Sequence, residues 1–76
     1  MAKQQQINVR SLKDRCETLK SRIEVKANER GSVYRSRSRK WQSSKLGEEY
    51  FDRTSMLHEA IESIEEAIES LEDYID

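Results

Sequence analysis

The chain has no proline, two glycines, one cysteine and one histidine in 76 residues. Each scarcity removes a class of protein. Without proline nothing forces a break or kink, so long uninterrupted helices are open to it. A single thiol, Cys16, can close no internal disulfide and build no cysteine metal cluster. That excludes a disulfide-stapled scaffold and points to a reduced, cytoplasmic setting. Apolar residues make up 34% and aromatic residues 7%, which is lean for so short a chain to bury a globular core. No apolar run approaches the ~20 residues that span a bilayer. The opening MAKQQQINVR holds no apolar segment of the signal-peptide kind.

Catalytic and metal chemistry lack their parts as well. Nucleophilic catalysis needs a base and an orienting group beside a nucleophile. One cysteine on an apolar stripe, one histidine and no glycine-rich loop do not supply that set. A di-metal helical bundle uses Glu-x-x-His at inward positions, and Ser55 stands three residues before His58 where the glutamate belongs. The expectation is therefore a protein that is not an enzyme and carries no metal or cofactor.

What is present is charge, and it is segregated. Charged residues make up 38% of the chain. Residues 1–47 hold thirteen Lys/Arg against four Asp/Glu, a balance of +9, while residues 48–76 hold one Arg against eleven Asp/Glu, a balance of −10. Such a dipole along the chain suggests self-complementarity or a charged partner. The acidic half could also imitate a phosphate backbone, but an acidic solvated helix face is the commoner meaning of such a run.

Two apolar stripes with heptad spacing run through the chain. In the last third Leu57, Ile61, Ile64, Ile68, Leu71 and Ile75 recur at four, three, four, three, four, and Tyr50 extends the stripe backwards. Near the start Val9, Leu12, Cys16, Leu19 and Ile23 recur at three, four, three, four. Both are the pattern of a helix showing a narrow stripe to a partner helix. Phe51, Met56 and Tyr74 flank the second stripe, and Ala60 and Ala67 beside it would let a neighbouring helix approach closely. The first helix is expected over 5–30, ended by Gly31 in the position of a left-handed cap. The second is expected over 44–75, capped by Ser43 or Ser44 with Glu48, Glu49 and Asp52 in its early turns.

Between them lies a basic connector over 31–43, read first as a loop whose far end, near 38–46, extends the second helix backwards. The whole predicts an all-α fold: a single helical domain over 1–76, as an antiparallel two-helix hairpin. Two helices alone bury one stripe each and are seldom stable unaided. Completion by a second copy is expected, as a coiled coil or four-helix-bundle homodimer, with the two stripes as the oligomer seam.

Arg35, Arg37, Arg39, Lys40 and Trp41 mark the candidate contact surface. Cations bind phosphates and aromatic rings stack on bases, so nucleic acid is one reading of this stretch. A solvated connection, or a patch for the acidic helix of another subunit, is the other. From Arg37 the chain reads Arg-Ser, Lys40-Trp41-Gln42, Ser44, Gly47-Glu48, Tyr50 and Arg53-Thr54, followed by the acidic Leu/Ile repeat from Leu57. In these residues the second half of the chain resembles small uncharacterised helical proteins of phages and mobile elements. The resemblance implies an accessory protein that binds and inhibits a host system, working in the host cytoplasm. It carries over no functional residues. Three roles stay open: a self-associating module that binds another protein, a small nucleic-acid-binding protein, and a structural or scaffold subunit. No membrane is among the expected partners.

Overall fold

A computed structural model describes residues 8–76, so the expected start of the first helix at Gln5 lies outside the described residues. The described residues are all-α and hold three helices: α1 (Val9–Ser36), α2 (Arg39–Gln42) and α3 (Lys45–Ile75). Asn8 opens α1 by accepting hydrogen bonds from the backbone N–H groups of Arg10 (2.9 Å) and Ser11 (3.4 Å). This satisfies donors that no preceding turn can reach.

The first helix does not end at Gly31. It runs 28 residues to Ser36, and neither glycine takes the positive φ that a left-handed cap requires. Gly31 is an ordinary helical residue here, and the extra turns carry Tyr34 to the turn of the chain. The helix stops where Arg37 goes extended (φ −87°, ψ 161°), its N–H bonding the Tyr34 carbonyl at 3.2 Å. The expected connector is thus mostly helical. It holds the last turns of α1 and the separate four-residue α2, which is divided from α3 at Ser43 and Ser44. Three helices replace the expected two.

Position 31 gives a clean test of this correction. A Cβ placed there would meet only the Arg35 guanidinium, with Nη1 at 3.1 Å, and that group sits on a flexible stem. Gly31→Ala is expected to stabilise by about 0.5–1 kcal/mol through helix propensity, which is several degrees of melting temperature for a chain this size. A lower melting temperature in a thermal scan followed by circular dichroism would mean that Arg35 cannot give way.

Helices α1 and α3 pack side by side with the order of contacts reversed along the chain. Lys13 meets Glu72, Lys20 meets Glu65, and Arg30 meets Thr54 and Tyr50. The interior between them is thin. Ala27 and Ile61 are its buried apolar residues, Thr54 is buried beside them, and no described side chain is completely enclosed. The molecule is a rod of 61 × 18 × 17 Å with a radius of gyration of 17.7 Å, where a compact chain of this length has about 11 Å. Among the described residues no helix is long and apolar enough to cross a membrane.

Candidate functional site

The turn between α1 and α3 is built by serines and one glutamine. Ser38 caps α2, its Oγ accepting from the Trp41 N–H at 3.1 Å. Ser44 caps α3, accepting from the Gly47 N–H at 3.2 Å while its hydroxyl donates to the Trp41 carbonyl. The Gln42 amide donates to the Tyr34 carbonyl (2.8 Å) and the Arg37 carbonyl (3.2 Å), tying α2 to the end of α1. Gly47 lies where α3 passes the backbone of α2. A Cβ there would overlap the Trp41 carbonyl oxygen and lie 2.8 Å from both Cα and O of Gln42. Only glycine permits that approach.

These caps bring four rings into one chain of contacts. Phe51 meets Tyr34 at 5.5 Å between centroids, Tyr34 meets Trp41 edge-on at 6.0 Å, and Trp41 meets Tyr50 edge-on at 5.6 Å. Offset and edge-to-face geometries of this kind match the positive edge of one ring to the negative face of the next. Two guanidiniums complete the corner. Arg30 lies 3.9 Å over the Tyr50 ring, and Arg37 lies 4.2 Å over the Trp41 ring. Arg30 also donates from Nε to Thr54 Oγ1 (2.9 Å) and from Nη2 to the Tyr50 carbonyl (3.1 Å). Thr54 in turn donates its hydroxyl to that carbonyl at 3.0 Å.

Sequence reasoning missed this node. Tyr34 and Trp41 lie off both heptad stripes, Phe51 flanks one, and Arg30 belongs to neither. The usable signal was the seven-residue spacing of Tyr34 and Trp41 around a proline-free segment, which allowed helix to continue past Gly31.

Away from the corner, the two sides of the rod differ. Lys13 Nζ lies 3.3 Å from Glu72 and Lys20 Nζ lies 3.0 Å from Glu65. The hydrogen bond to each glutamate, helped by further carboxylates along α1, holds both lysines above the ordinary lysine range. At about 100° per residue these four residues lie on one side of the line joining the helices. Shallow grooves lie on this side too, one of them about 390 Å³ and lined by Gly31, Tyr34, Phe51, Thr54 and His58. On the opposite side the same rotation places Leu12 and Leu19 of α1 beside Leu57, Ile64 and Leu71 of α3. Leu19 is 49% exposed, and the other four are half-buried.

The residues of the two stripes are therefore distributed unevenly. Ile61 is buried between the helices, and Val9, Cys16, Ile23, Tyr50, Ile68 and Ile75 are half-buried along the contact. Of the candidate contact residues, Arg35, Arg37, Arg39 and Lys40 are exposed, while Trp41 is half-buried in the ring cluster. His58 is exposed. Among the described residues no group of three His, Cys, Asp or Glu side chains is placed to hold a metal ion. No protein-family model, curated protein or solved structure matches this chain.

Proposed function

We propose that the protein is a non-enzymatic helical interaction module that self-associates, as an antiparallel hairpin pairing with a second copy into a four-helix bundle. The observation that carries this reading is the two-sidedness of the rod. One side is bridged by the Lys13–Glu72 and Lys20–Glu65 pairs, and the other presents Leu12, Leu19, Leu57, Ile64 and Leu71.

Charge favours a second copy as the occupant. The side that carries these residues is 17–18 Å across, and its apolar row from Leu57 to Leu71 runs roughly 21 Å at ~1.5 Å per residue. That apolar row covers roughly half of the ~800 Å² per partner of a standard stable interface, and the charged residues flanking it would supply the remainder. The α1 span carries eight Lys/Arg against four Asp/Glu, and the α3 span carries two against ten. A copy that lays its α1 on the other's α3 joins unlike charges as well as apolar rows. The host partner implied by the phage resemblance would take a face that this association leaves open.

Light scattering tests the reading. The chain is expected at twice its 9.0 kDa mass. Leu19→Glu should shift it to the monomer. Val25→Glu, at a residue 58% exposed on the far side of α1, should leave the dimer intact. A helical monomer for the unaltered chain, or equal effects of the two substitutions, would sink the proposal.

A further inference from the structure

We infer that the corner end of the rod is a contact surface for the phosphate backbone of double-stranded nucleic acid, reading charge and not sequence. From Arg30 to Gly47 the chain holds six Lys/Arg and no Asp or Glu. The fold gathers four of the five exposed members of that set at one end, the fifth, Arg35, standing in the last turn of α1. Arg39 and Lys40 lie on α2, Lys45 is the first residue of α3, and Arg37 lies in the turn between α1 and α2. None of the four enters an ion pair among the described residues, whereas the lysines that pair lie farther back, at 13, 20 and 26. The helices fix where these cations stand, and a fixed cluster releases condensed counterions from a duplex at little further ordering cost.

The ring geometry selects the class of nucleic acid. Reading single strands depends on aromatic faces on which bases can stack. Trp41 has Arg37 over one face and the rings of Tyr34 and Tyr50 against it, and it is half-buried. It is committed to holding the corner together, so the cations are left to act without a stacking platform. Net charge does not do this work either. The whole chain is at −1, so attraction to a polyanion must come from this end.

The inference is independent of self-association and is tested on the full chain by fluorescence anisotropy. The probes are two labelled duplexes of ~20 base pairs with unrelated sequences, plus a single strand, at ~50 and ~200 mM salt. Three or four phosphate contacts predict equal binding of both duplexes, with affinity falling roughly 40- to 150-fold between the two salt levels. Arg39→Ala/Lys40→Ala/Lys45→Ala should weaken duplex binding at the lower salt by about tenfold or more while circular dichroism is unchanged. Absence of duplex binding at low salt overturns the inference, as does a salt-insensitive affinity in the unaltered chain. Tighter binding of the single strand with quenching of Trp41 overturns the backbone reading. A flat duplex titration together with a triple variant that becomes monomeric assigns the cations to the acidic helix of a second copy instead.

Discussion

Gly47→Ala is expected to lower the melting temperature by roughly 10–20 °C, corresponding to about 2–3 kcal/mol in a domain of this size. Alanine normally helps a helix, so the sign depends entirely on the corner. The added methyl would overlap the Trp41 carbonyl oxygen and crowd Cα and O of Gln42. These are backbone atoms held by the Ser38 and Ser44 caps, and no side-chain rotation relieves them. The protein has one tryptophan, and it sits against this contact. Its emission should move to the red as the corner opens, while most of the helical circular dichroism survives. A melting temperature within a degree or two of the unaltered chain, with Trp41 emission unchanged, would show that α2 can slide away from α3 freely. Set beside Gly31→Ala, the comparison is sharp: the same substitution in the same chain, with opposite signs set by what lies one methyl away.

Arg30→Ala should cost about 2–3 kcal/mol. The guanidinium makes two hydrogen bonds across the helix pair, to Thr54 Oγ1 and the Tyr50 carbonyl, and lies over the Tyr50 ring. Charge-assisted bonds of this kind contribute about 1.5–3 kcal/mol, and the ring contact about 0.5–1 more. Lysine should not rescue the loss, because a point charge cannot lie flat on a ring and reach two acceptors at once. A thermodynamic cycle with Thr54→Val separates the bond from the packing. Denaturant titrations should give a coupling on the order of 1 kcal/mol between the two positions. Strict additivity would mean that Arg30 acts through its stem and ring contact alone.

These two positions also show where sequence reasoning stopped. Heptad spacing locates helices well because every buried contact along a helix pair repeats at the same interval, and the α3 stripe from Leu57 to Ile75 is such a repeat. It says nothing of contacts made once. Arg30, Tyr34, Trp41, Gly47 and Thr54 meet at a point that no periodicity generates. Gly31 misled for a related reason. A glycine after charged residues resembles a helix end, but the packing of Tyr34 against Trp41 and Phe51 outweighs a local preference of about 1 kcal/mol. Heptad spacing is also silent on which side of a two-helix rod the ion pairs bridge. The Lys13–Glu72 and Lys20–Glu65 pairs need the register of α1 against α3, which follows from the length of the turn and not from either stripe. The basic segment was legible as charge. That its cations are exposed while Trp41 is taken up by packing was not.

The ring cluster also bears on how the chain finds its shape. Its partners are near neighbours in sequence, Tyr34 with Trp41 and Trp41 with Tyr50, so closing them loses little chain entropy. Every later contact outward, from Arg30–Thr54 to Lys20–Glu65 to Lys13–Glu72, closes a longer loop unless the one before it is already made. Loop lengths therefore predict assembly as a zipper that starts at the corner, where the contacts are most local. Opening is expected to run the other way, from the ends where α1 begins and α3 finishes.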